Sequence, residues 1–132
     1  MSEPQFKCIR QPWANLIVAN ERAVETSIWG TSHRGTLAIY ATPGDALDRD
    51  DTSHLPHGAI IAIAQLADSH HKHDTNLCDR HSCNPRDAQP FHWVLTDIRA
   101  LSTPIRCARP TSGRIPFHLA AALHTPQAGT RA

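Results

Sequence analysis

The sequence predicts a mainly β fold, a small barrel with one short helix beside it. Three observations carry that expectation. Residues 36–41, 59–66, 91–98 and 105–107 have the length and the β-branched or apolar content of strands. Only one short stretch, near the amino terminus, shows helical spacing. The segments between them are rich in Asp, Pro, Gly, Ser and His, which favour turns and connections over core. Strands outnumber the helix, and a small chain of that kind buries its apolar faces by rolling the sheet on itself. The 132 residues and 14.6 kDa match one domain, 1–132, large enough to fold without a metal or a disulfide.

Along the chain, Phe6, Cys8 and Ile9 form a short apolar stretch before Gln11-Pro12-Trp13. Pro12 suits a first helical turn. Trp13, Leu16, Ile17 and Asn20 then stand at i, i+3, i+4 and i+7, so a helix over 12–20 is expected to pack through Trp13, Leu16 and Ile17. Asn20, which tolerates left-handed geometry, ends it. Arg34-Gly35 makes the turn into the strand at 36–41. Asp45, Asp48, Asp50 and Asp51 mark 43–57 as a solvated loop. The connection 69–90 is longer, without apolar periodicity, and a connection of that length is usually functional or mobile. After Pro104 a short strand follows at 105–107, then a helical turn at 119–123 and a frayed tail over about 124–132.

The longest apolar stretch, 59–64, falls far short of the ~18 residues that cross a bilayer, so no membrane helix is expected. Met-Ser-Glu-Pro-Gln does not read as a secretory signal, which implies a cytoplasmic protein with reduced thiols. The net charge of +1 excludes capture of nucleic acid or membrane by a global field. Any anion site must be local, and Lys7 and Lys72 are the only lysines among 13 cationic residues. The rest are arginines, which pair bidentately with phosphate, although a GC-rich genome produces the same bias.

The segment Cys8-Ile9-Arg10-Gln11-Pro12-Trp13-Ala14-Asn15-Leu16-Ile17, then Val24-Glu25, Trp29 and His33-Arg34-Gly35, resembles an ASCH domain (activating-signal-cointegrator homology) of the PUA-like superfamily. The likeness continues in Gly58-Ala59-Ile60-Ile61-Ala62 and Phe91-His92-Trp93-Val94-Leu95 and so covers most of the chain outside the two connections. It implies a PUA-like pseudo-barrel of about five strands, with RNA or a nucleotide held in a cleft between helix and barrel. The family's turn pattern Gly-x-Lys-x-x-Glu-x-Arg reads here Asn20-Glu21-Arg22-Ala23-Val24-Glu25-Thr26-Ser27, keeping only the glutamate. The family's basic, glycine and tryptophan tail is matched only loosely by Arg109, Gly113 and Phe117.

Such a cleft needs cations for phosphate, aromatic faces for bases and groups that read base edges. Arg10, Arg22 and Arg34 are candidates for the first, Trp13, Trp29 and His33 for the second, Gln11 and Glu25 for the third. The plainer reading places the tryptophans in the core, the arginines in solvent and Glu25 as an arginine's partner. The expected partner is single-stranded RNA or a modified nucleotide, bound by a monomer without a cofactor. The competing reading is a nuclease or nucleoside amidohydrolase with Glu25 as base and His33 as acid. Some PUA-like relatives are acetylcytidine amidohydrolases using a lysine, a threonine and a later glutamate; here Arg22 and Glu25 stand at the first two positions and no glutamate follows Glu25.

His70, His71, His73, Cys78, His81 and Cys83 crowd the connection 69–90. The favoured reading is a loop without metal, modifying access to the cleft. The zinc alternative draws on His73, Cys78, His81 and Cys83, with His70 as a substitute for His73, and a disulfide is a third reading. Cys8 and Cys107 read as small apolar strand residues.

Overall fold

The computed structural model describes residues 5–20, 22–43, 55–84, 86 and 88–109. Most of the 43–57 loop, the helical turn at 119–123, Gly113, Phe117 and the tail fall outside these residues. The fold is mainly β, as expected. Strands β1 (Gln5–Ile9), β2 (Arg22–Ser27), β3 (Gly35–Ala41), β4 (Ala59–His71) and β5 (Phe91–Arg106) form one sheet in the order β1-β3-β4-β5-β2. β1 runs parallel to β3, and every other pairing is antiparallel. The sheet is rolled into a half-barrel, with α1 (Trp13–Val18) and α2 (Thr75–His81) as its helices.

The rolling has a local cause in the β4–β5 ladder, whose register shifts three times. Each shift sets unequal numbers of residues opposite one another, which bends and twists a strand pair. Asp97 and Ile98 stand opposite Ala64, and Asp97 takes a left-handed φ of 48° while its carboxylate accepts from Arg99 Nε at 3.0 Å. Pro104 lies within a second shift, between the pairs Ala62↔Ala100 and Ile60↔Ile105, where its missing N–H costs no ladder bond. The expected strands 91–98 and 105–107 are therefore one long strand, bent rather than broken at the proline.

The third shift decides which side chains share a face. Leu66 pairs with Leu95 and Asp68 with Val94, so Ala67 has no opposite number. In a regular strand 66, 68 and 70 would face alike. The extra residue turns Asp68 and His70 to the face carrying Val94 and His92, away from Leu66, Leu95 and Trp93. Leu66, Leu95 and Trp93 belong to the main core cluster with Leu37, Ile39, Ile61 and Ile98. A smaller cluster of Ala38, Tyr40, Ile60 and Leu101 packs separately.

α1 docks on the main core through Ala14 and Ile17; of the three residues expected, Ile17 packs inward while Trp13 and Leu16 do not. Trp13 and Leu16 are 56% and 59% exposed, because a helix of six residues presents only a narrow stripe to the sheet. Gln11 anchors its start: Nε2 donates to Asn15 Oδ1 (2.8 Å) and Pro56 O (2.9 Å), and Oε1 accepts from Asn15 N–H (3.0 Å). Asn20 follows the helix without left-handed geometry, its side-chain amide donating to Leu16 O at 2.9 Å. The connection 69–90 is also more ordered than expected: β4 runs on to His71, and α2 occupies its centre.

A candidate ligand cleft and a metal-ligand cluster on opposite faces

Successive residues of a strand face opposite ways, and β5 uses this at His92 and Trp93. Trp93 pairs with Glu25 on β2 and Ser69 on β4, so these three share the cleft face. His92 pairs with Thr26 and His70, on the face covered by α2.

The cleft, about 1060 Å³, opens where the edge strands β1 and β2 face one another without pairing. Phe6, Lys7 and Arg10 line one side; Glu25, Trp29 and Trp93 line the other, with Trp13 of α1 at the rim. Lys7 Nζ lies 5.2 Å from the Trp93 ring centroid, within cation–π range. Burial holds the Lys7 ammonium below its usual pKa, and the Glu25 carboxylate opposes that fall. Arg109 also lines the cleft. Beside it, burial pushes the Cys8 thiol up, while Arg109 pulls it back through its charge and a hydrogen bond.

Trp29 is 71% exposed, yet its backbone is fixed from both sides. Its N–H donates to Ser27 Oγ (3.1 Å) and its carbonyl accepts from Trp93 Nε1 (2.8 Å). The next residue must be small: a Cβ on Gly30 would stand 2.8 Å from the Phe91 ring. A rigid turn thus displays a bare indole beside the cleft. Gln89 adds a side-chain oxygen that is buried without a hydrogen-bond partner among the described residues.

The structure therefore gathers Arg10, Trp13, Glu25 and Trp29 at one cleft and leaves Gln11, Arg22, His33 and Arg34 outside its lining. Gln11 is buried in its helix-start network. His33 is buried, with Nε2 2.9 Å from Thr36 O, so the proposed Glu25–His33 acid–base pair is not assembled at the cleft. Arg34 donates to the carbonyls of Thr31 and His33 and pairs with Asp68 at 3.5 Å. Arg22 reaches α2, with Nη2 3.0 Å from His81 Nδ1. Lys7, Trp93, Gln89 and Arg109 were not among the sequence candidates. A strand lysine among apolar neighbours was the only signal for Lys7.

On the other face, His70, Cys78, Cys83 and His92 bring one ligand atom each within 4.8 Å of all the others, an arrangement able to hold a metal ion. β4 and β5 supply the histidines and α2 with its carboxyl-terminal turn supplies the cysteines. Asp74 starts α2, its carboxylate accepting from Leu77 N–H at 3.2 Å. Ser82 stops it in a left-handed φ of 58°. Cys83 N–H then donates to Cys78 O (2.9 Å) and Ser82 N–H to Asp79 O (3.3 Å), the paired bonds of a Schellman turn. That turn normally brings two apolar side chains together; here it brings Cys78 and Cys83.

The zinc set read from the sequence is corrected at two positions. His73 packs its ring on His71 at 5.0 Å, away from the sulfurs. His81 stacks on His70 with ring centroids 5.9 Å apart, and its Nε2 is 3.7 Å from Asp68 Oδ2. Burial lowers the His81 pKa, an effect that Asp68 opposes and Arg22 reinforces. His92, remote in sequence, takes the fourth position. Among known proteins, the chain matches no family model and no curated protein. No helix among the described residues is long and apolar enough to cross a membrane.

Proposed function

We propose that the protein is an ASCH-type, PUA-like module that holds single-stranded RNA or a modified nucleotide in the cleft between α1 and the open seam of the half-barrel. The observation that carries this reading is Trp29, whose indole stands 71% exposed on an immobilised backbone beside Lys7, Arg10 and Arg109. An exposed tryptophan on a flexible loop would lose its ordering entropy on binding; one already fixed offers a stacking face at little further cost. The cations suit phosphate, and Glu25 offers an acceptor to the N–H edge of a base. The phosphate role moves from Arg22 and Arg34, which lie outside the lining, to Lys7, Arg10 and Arg109. The module works as a monomer in the cytoplasm and needs no catalytic pair.

Titration of short RNA and DNA oligomers, followed by tryptophan fluorescence, tests the reading. Replacement of Trp29 by Ala is expected to weaken RNA binding about five- to hundredfold, the range for loss of one base–aromatic stack. Equal binding by wild type and Trp29→Ala, or no binding by either, would remove the cleft as a nucleotide site. Hydrolysis of the oligomer by wild type would return the enzyme reading.

A further inference from the structure

We propose that His70 Nε2, His92 Nδ1, Cys78 Sγ and Cys83 Sγ form a closed tetrahedral zinc site that pins α2 to the sheet. Three of the sulfur–nitrogen distances are those of a coordination shell, and all four ligand atoms lie within 4.8 Å of one another. With Zn–S near ~2.3 Å and Zn–N near ~2.05 Å, a tetrahedron places sulfur and nitrogen about 3.6 Å apart. Cys78 Sγ and Cys83 Sγ each lie 3.5 Å from His70 Nε2, and Cys78 Sγ lies 3.7 Å from His92 Nδ1. A single imidazole lone pair faced by two sulfurs is poorly matched to ordinary hydrogen bonding, which gives it one good donor; a shared metal satisfies all three atoms.

The surroundings prepare the ligands. Asp68 Oδ2 lies 2.6 Å from His70 Nδ1, and a proton held there leaves the Nε2 lone pair directed at the sulfurs. A carboxylate behind a ligating histidine orients the ring and raises its basicity. Arg34 holds the same carboxylate from its other oxygen at 3.5 Å. His70, Cys78 and His92 are buried and Cys83 is half-buried, so four protein ligands close the shell and leave no open position for substrate. Two thiolates and two imidazoles in that geometry select zinc over the hard cations. One contact must change on loading: Cys78 Sγ is 3.2 Å from Lys72 O, a bond a thiol donates and a thiolate does not.

The test uses the full chain expressed without a histidine tag. Metal analysis is expected to find one zinc per chain, and cobalt(II) exchanged into the site should show the strong visible absorption of tetrahedral coordination with thiolate-to-metal charge transfer. Zinc should protect Cys78 and Cys83 from alkylation and leave Cys8 and Cys107 reactive in denaturant-free buffer to the degree seen without metal. Cys83→Ser should lose stoichiometric zinc, Cys107→Ser should keep it, and Asp68→Asn should raise the zinc Kd by about ten- to hundredfold. Absence of bound metal after zinc addition overturns the site, as does an unchanged cobalt spectrum in Cys83→Ser. A Cys78–Cys83 disulfide in freshly isolated, metal-free protein overturns it too. If Cys83→Ser does not fold, the alkylation pattern of wild type with and without zinc decides alone.

Discussion

Lys7 combines two opposed forces in one side chain. Desolvation favours its neutral amine, while Glu25 across the seam favours the ammonium. Removing the carboxylate charge therefore has a definite sign: in Glu25→Gln the Lys7 pKa falls further, and more free amine is present at a given pH. Acylation of Lys7 near pH 8, followed by peptide mass spectrometry, should quicken about two- to tenfold, since one pKa unit is a tenfold change in the amine fraction. An unchanged or slower rate would show that Glu25 does not act on Lys7. The same burial has a consequence for stability. The folded chain binds this proton less readily than the unfolded chain, so this residue's contribution to stability rises with pH between its lowered folded pKa and the ordinary value of 10.5. Lys7→Met should remove that rise, measurable as a flatter dependence of urea midpoint on pH over the alkaline range.

Single residues act at the cluster only because two small elements place them. α2 has seven residues, too short to persist on propensity, so its ends matter. Asp74→Ala removes the cap to Leu77 N–H and is expected to cost about 1 kcal/mol in urea denaturation. Ser82→Gly should act oppositely, stabilising by roughly 0.5 to 1 kcal/mol, because glycine takes the left-handed conformation without the Cβ clash. A destabilised Ser82→Gly variant would mean that the serine side chain, not the backbone turn, holds the helix end. The bulge at Ala67 is the second element. Deleting this one residue should restore regular alternation with Asp68 directly after Leu66, which keeps Asp68 and His70 on the face of Val94 and His92, so the deletion variant is expected to fold and to retain the metal-ligand set.

At the scale of the whole molecule, strand content was legible because β3, β4 and β5 carry their apolar residues at strand length and are paired on both sides or nearly so. β2 was not read as a strand, and β1 only in part, through the apolar stretch of Phe6, Cys8 and Ile9. Each is an edge with one hydrogen-bonded neighbour, and their half-buried, mixed residues lack a clean alternation. Trp13 misled for a related reason, since spacing marks a helix face but not which part of it the sheet covers. Cys78 and Cys83 were legible as a pair, whereas His92 was hidden inside an apolar strand and joined to them only by the sheet register. Of the eight candidate side chains only four, Arg10, Trp13, Glu25 and Trp29, line the cleft, because part of its wall comes from β1, brought there by rolling of the sheet. That closure also sets how salt should act on RNA binding. The chain carries a net charge of only +1, and the cationic side chains lining the cleft are Lys7, Arg10 and Arg109. Three phosphate contacts to a single strand release few counterions, so log K should fall against log salt with a slope no steeper than about −2. Arg22 and Arg34 lie outside this lining and should leave the slope unchanged when replaced by Ala. A slope near −4 that flattens in Arg22→Ala and Arg34→Ala would show the strand running past the cleft and over those arginines instead.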